Sequence, residues 1–346
     1  MINRRLRRSG GFTLIELLLV IVAIALLVGI LVPLLGKPRG RHGRHFKDSS
    51  QVRGIVQALA IWAGNNQEQY PLPGELDRKG TTVRYGQEDP TTGDSKAFLA
   101  NTTAHIMSLL IFNSNITTEL LISPSEANGN IAQMPKYEFN NPQGVEGSDS
   151  SLALWDPAFR GTPIDPGRFG KGASEPGNQS YAHSPPIGKQ KVKWSNTFNA
   201  NEAILGNRGP LYTGSAEKGW TLSSEQGGEV GTASTTLLIH GSRTRWEGNI
   251  GYNDSHVNFE TRADPEALTF TFSGLAAKNR ARPDNLFMSE QDDAGTVNPS
   301  YSLGGTRGAR FITDPMVGAF TTAHLRPIAE MSGENGQDPI MRAFVD

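Results

Sequence analysis

The chain has no cysteine in its 346 residues, so neither a disulfide framework nor a thiolate metal site is available. Whatever folds must be held by burial. Excess charge of one sign is missing too: 33 Lys+Arg stand against 34 Asp+Glu, a formal net charge of −1, which argues against a nucleic-acid surface. No Gly-x-Ser-x-Gly elbow, Walker loop, His-Glu-x-x-His helix or dinucleotide fingerprint occurs, so the common hydrolase, nucleotide-binding and zinc-peptidase chemistries have no motif to stand on. Internal repeats are also lacking. With 39 Gly and 21 Pro, a body rich in loops and short strands is expected.

What the chain does have is one long apolar run. Phe12 to Leu35 contains only Thr13, Glu16, Gly29 and Pro33 outside the apolar class. As a helix at about 1.5 Å per residue it would cover roughly 36 Å, more than the ~30 Å hydrocarbon core of a bilayer. A secretory signal would have a shorter apolar region followed by a small-residue cleavage site, and neither is found here. Glu16 is the anomaly. A carboxylate placed in lipid costs on the order of 2 to 3 kcal/mol or more and calls for a partner.

The order of features is specific: Arg4, Arg5, Arg7 and Arg8 in an acid-free leader, then Gly11, then Phe12-Thr13-Leu14-Ile15-Glu16, then the apolar helix with Pro33. This closely resembles the N-terminus of type IV prepilins, shared with type II secretion pseudopilins. The resemblance implies cleavage after Gly11 by a membrane-embedded prepilin peptidase and N-methylation of the exposed Phe12. It implies that Glu16, fifth in the mature chain, pairs with the N-terminal amine of a neighbouring subunit, and that Pro33 marks a bend or melted segment. The physics agrees, because two charges that are costly in lipid cost less when they neutralise each other. The leader should start in the cytoplasm, with the body on the far side of the inner membrane. Lys and Arg flank both ends of the span, so it is the leader motif and not the charge count that sets this orientation.

Beyond the span, Gly36 to Lys47 is basic and broken by Pro38, Gly40 and Gly43, which reads as a hinge. His42-x-x-His45 lacks a third metal ligand and fits the same solvated hinge. From Asp48 or Ser49 as a cap, Val52, Ile55, Val56, Leu59, Ala60 and Ala63 form a helical apolar stripe ending near Asn65-Asn66. Short helices are expected over 98–111 and 117–122, and a strand over 268–272.

Between Gln179 and Phe259, His240 followed by Asn253-Asp254-Ser255-His256-Val257 is similar to the C-terminal part of large bacterial prepilin-like proteins that carry a His and then Asp-Gly-His-Val. Here the gap after His240 is longer and Ser255 replaces the glycine. Read from the residues alone, Ile250 to Tyr252 and Val257 to Phe259 are two antiparallel strands turning through Asn253, Asp254 and Ser255, and the turn explains those polar residues. The alternative is Ca²⁺ on Asn253 and Asp254, although calcium wants about 6 to 8 oxygens. Zinc on His240 and His256 lacks a third ligand. A Ser242, His240, Asp254 trio can be drawn but has no supporting context.

The expected architecture is α+β and pilin-like: leader 1–11, membrane and assembly helix 12–35, hinge 36–47, amphipathic helix 48–66, and an extracytoplasmic head 67–346 with an antiparallel sheet. The expected function is that of a structural subunit, a minor pilin or pseudopilin of a type II secretion or type IV pilus machine. Its partners would be prepilin peptidase, other subunits and the membrane, with no catalysis, cofactor or nucleic acid. The alternative is a membrane-tethered binding module or enzyme that does not assemble.

Overall fold

The computed structural model describes residues 14–35, 41–84, 96–166, 175–333 and 339–346. The chain divides into two compact units, Met1–Gly43 and Arg44–Asp346. The first contains α1 (Leu14–Leu35), a 22-residue helix with no polar face. The second takes in nearly all of α2 (Arg41–Asn65) and every later element. Helix therefore begins at Arg41, and the part of the expected hinge from Arg41 to Lys47 is helical, with 36–40 outside the described residues. A single Gly in a helix costs about 1 kcal/mol, which is less than the hydrogen bonds and burial that hold the following turns can supply.

Two further helices follow, α3 (Pro73–Leu76) and α4 (Thr103–Phe112), the latter capped by Thr102, whose side chain accepts from the His105 amide. The strands are β1 (Tyr181–His183), β2 (Ala203–Asn207), β3 (Tyr212–Ser215), β4 (Gly219–Leu222), β5 (Gly248–Tyr252), β6 (Val257–Glu260), β7 (Thr269–Thr271), β8 (Ala281–Pro283), β9 (Ser302–Thr306), β10 (Ala309–Asp314), β11 (Ile328–Ser332) and β12 (Ile340–Val345). They form a four-stranded sheet in the order β1-β2-β5-β6, a second in the order β11-β12-β10-β9, and the hairpins β3-β4 and β7-β8. All paired strands are antiparallel, so the α+β expectation holds.

The expected stripe of α2 is core. Val52, Ile55, Val56, Leu59 and Ala63 are buried with Ile106, Met107 and Leu110 of α4 and with Tyr181, Ile204 and Leu205 of the first sheet; Ala60 is half-buried. Helix and sheet come close at Gly251, where an added Cβ would lie 2.5 Å from Val56 Cγ2. The segment 117–122 forms turns rather than the expected helix. Gln51 of α2 donates its side-chain amide to the carbonyls of Glu119 and Ile122, so these groups are satisfied from outside and no helix is needed. The expected strand over 268–272 is β7, and the C-terminal region, to which the sequence assigned no role, builds the second sheet.

Candidate functional site

Gly11 and Phe12 lie outside the described residues. Glu16 sits in the first turn of α1, and Pro33 falls in its last turn. Every side chain from Leu14 to Ala25 is exposed in the single chain, Leu14 at 82 % and Leu19 at 67 %. Among the residues whose side chains are described, which in α1 stop at Ala25, no helix is long and apolar enough to cross a membrane. The described part of α1 thus presents apolar surface all round, interrupted by Glu16.

In the head, a polar cluster is built around Asp48. The sequence offers it as a helix cap, but it lies inside α2 and is fully buried. Its Oδ2 accepts from His240 Nε2 at 2.8 Å and Asn249 Nδ2 at 2.7 Å, while Oδ1 accepts from the Ser123 and Tyr181 hydroxyls. Burial pushes the Asp48 carboxyl up, but the hydrogen bonds and charge of His240, with Ser123 and Asn249, hold it below the usual carboxylate range. The His45 ring packs edge-on against His240 and Phe259, with centroids 5.4 and 4.2 Å away. This cluster ties α2 to β5, to β1 and to the loop before β5.

The turn between β5 and β6 is the expected hairpin, and Asn253 and Asp254 are part of its structure. Asn253 is buried; its Oδ1 accepts from Tyr70 at 2.6 Å, and its Nδ2 donates to the Lys193 carbonyl and to Glu202 Oε2. Asp254 accepts from the His256 amide at 3.1 Å and contacts the His256 ring, which stacks on Tyr252 with centroids 4.4 Å apart. Burial raises the Asp254 carboxyl, and the bonds and charge from His256 outweigh it, leaving it below its ordinary value. Ser255, where the similar proteins have glycine, adopts φ of 69°, a left-handed conformation that glycine would take without strain. The structure does not bring Ser242, His240 and Asp254 together as a trio: Ser242 bonds Thr244, His240 bonds Asp48, and Asp254 bonds His256. Among the described residues, no group of three or more His, Asp or Glu could hold a metal ion.

Residues 6–32 match the family model of the prokaryotic N-terminal methylation motif. The N-terminal segment is that of a type IV prepilin-like protein. No curated protein and no solved structure matches it. The match covers the N-terminal segment alone, so the head of this prepilin-like chain has to be read from its own geometry.

Two buried clusters of ionisable groups in the head have no local signal in the sequence. Arg208 donates to Glu126 at 2.8 Å, to Asp346 at 2.8 Å and to the Ser180 carbonyl. Burial opposes its charge, but the two carboxylates raise its pKa overall. Asp284 and Glu290 are both buried, Asp284 accepting from the Ala323 amide and Glu290 from the Asn285 amide, and they interact electrostatically. Burial pushes Asp284 up to about 7, and burial together with Asp284 pushes Glu290 well above its ordinary value. Arg208, Glu126 and Asp346 are far apart in sequence, and no local pattern joins them.

Proposed function

We propose that this protein is a structural subunit, a minor pilin or pseudopilin, anchored in the bacterial inner membrane and assembled with other pilin-type chains. The observation that carries the reading is the methylation motif at residues 6–32, which runs into a helix that is apolar on every side and holds one carboxylate, Glu16, in its first turn. A peptidase cut after Gly11 would leave Phe12 with a free amine. Glu16 would neutralise the amine of a neighbour, and the apolar helices would pack into a filament core, where each covers the surface the others expose. Pro33 would ease the helix out of that bundle. The head, carrying two sheets, suits a minor position rather than the main repeat. The buried His, Asp and Arg groups serve packing: Asp48, Asn253 and Arg208 each have their partners inside the head.

The test is mass spectrometry of the N-terminal peptide from protein isolated from its own membranes. The expected peptide begins at Phe12 and carries an N-methyl group. An intact Met1 leader in cells with active peptidase would overturn the reading in favour of a tethered module.

A further inference from the structure

A pocket of about 310 Å³ opens at the C-terminal end of α2, lined among others by Trp62, Asn65, Asn66, Gln67, Gln69 and Arg78. Four of its ten lining residues are uncharged amides, beside Trp62, Tyr70, Leu72 and Leu76 and the charged Glu75 and Arg78. Asn65 and Asn66 turn their Nδ2 groups back onto the carbonyls of Ile61 and Trp62, at 3.2 and 2.8 Å, which leaves each amide oxygen as an acceptor. Gln67 and Gln69 are exposed, and each offers both a donor pair and an acceptor. Trp62 is half-buried: one part of its ring packs on the core, and the rest is a flat apolar wall of the pocket.

The charges nearby are largely used. Glu75, on the pocket wall, is paired with Lys191, and Glu68 accepts from Asn196 at 3.0 Å. A cation therefore finds no unpaired carboxylate among these residues. An anion would meet Arg78, but also the carbonyl end of α2, where the helix dipole is negative, and Glu75. What fits is a neutral ligand with many hydroxyls and an apolar ring face. Hydroxyl pairs suit amides that donate and accept together, and C–H faces suit an indole.

The backbone here is also costly. Gln67 and Glu68 are consecutive non-glycine residues at φ of 55° and 61°, after the Glu68 amide closes the helix onto the Ala63 carbonyl. Left-handed backbone costs an L-residue about 1 kcal/mol or more. Glycine at 67 would relieve that strain and would remove the amide from the pocket.

From this geometry we propose that the pocket binds a neutral saccharide, with Trp62 as the platform for a sugar ring and Gln67, Gln69 and Arg78 as hydrogen-bonding groups. The proposal holds whether the chain assembles or stands alone in the membrane. The experiment is saturation-transfer NMR on the full chain in a non-glycosidic detergent, with maltose, cellobiose and N,N′-diacetylchitobiose as probes at about 10 mM, a concentration that reveals millimolar affinity. The expected result is transfer to the ring protons of at least one probe. Gln67→Gly, which suits the backbone, and Arg78→Ala, on an exposed side chain, should each weaken binding about tenfold. Transfer to none of the three probes would overturn the proposal, and so would binding left unchanged in both variants.

Discussion

Helices α1 and α2 are of similar length, 22 and 25 residues, yet they are opposite in design. α1 is apolar in sequence apart from Glu16, and its described side chains are exposed in the single chain. α2 is mixed in composition, and from Asp48 onward it is clamped by the head through a buried stripe and a buried carboxylate. The apolar helix leaves its described side chains exposed. The polar helix has its partners at home. On the proposed reading, a charged residue in α1 bears on assembly, whereas one in α2 bears on folding.

The strongest way to break that comparison is Asp48→Ala. It would strip the common acceptor from His240, Asn249, Ser123 and Tyr181, all in the buried interior. Removing one side of a buried charged cluster typically costs about 3 to 5 kcal/mol. The expected result is a clear fall in the denaturant midpoint, followed by fluorescence of the buried Trp155, Trp194 and Trp246. Asp48→Asn keeps the shape and some of the acceptors and should cost less. An unchanged midpoint in the Ala variant would mean that α2 is held by its stripe alone. Next in size is Gly251→Ala, which would place a Cβ 2.5 Å from Val56 Cγ2 and force α2 and β5 apart. Overpacking of this kind costs about 1 to 3 kcal/mol, and it should be relieved in the double variant with Val56→Ala; a full loss that persists there would place the strain elsewhere.

The legible parts of this protein are those written in neighbouring residues. The apolar run, the Glu16 anomaly, the stripe from Val52 to Ala63 and the turn at Asn253 all follow from spacing within a few residues. What could not be read are pairings across long stretches of chain. Asp48 looked like a cap because capping is the local use of an Asp before an apolar stripe, and only the fold brings His240 and Asn249 to it. The hinge was overextended because Gly43 marks flexibility locally, while the helix runs through it. Residues 117–122 read as helical from their apolar content, and the competing hydrogen bonds come from Gln51 on another element.

The head should also carry a pH dependence of its own. Asp284 and Glu290 begin from ordinary values of 3.8 and 4.5, and both are raised in the folded protein, Asp284 to about 7. For this pair the folded state holds protons that the unfolded chain has released, so its contribution to stability falls as pH rises from about 4 through 7, while His183 and His324, lowered by burial to about 4 and about 3, contribute with the opposite sign below about 6.5. Lys193 and Asp292 also act on Asp284, with opposite signs, and Asp264 acts on Glu290. Asp48 works in the other direction: its lowered value adds stability that is lost only as pH falls below 3.8. The slope from the acid pair should approach about 1.4 kcal/mol per pH unit for each proton concerned. Asp284→Asn should flatten it, as read from denaturant midpoints between acid and neutral pH. A slope unchanged in that variant would assign it to other groups.

The smallest effect on the head, and the sharpest separation of the two helices, comes from Glu16→Ala. Because Glu16 lies in the Met1–Gly43 unit, the unfolding midpoint of the head should shift by no more than about 0.5 kcal/mol. Membrane insertion should be kept or improved, since the substitution removes a carboxylate from an apolar run. Recovery of the chain in sheared filaments or crosslinked assemblies should fall sharply, because a neighbour's amine would lose its counter-charge. Glu16→Gln, which keeps hydrogen bonding and loses charge, divides the explanation. If it assembles like the parent, a hydrogen bond suffices at this position. If it fails like the Ala variant, the charge is what the neighbouring subunit needs.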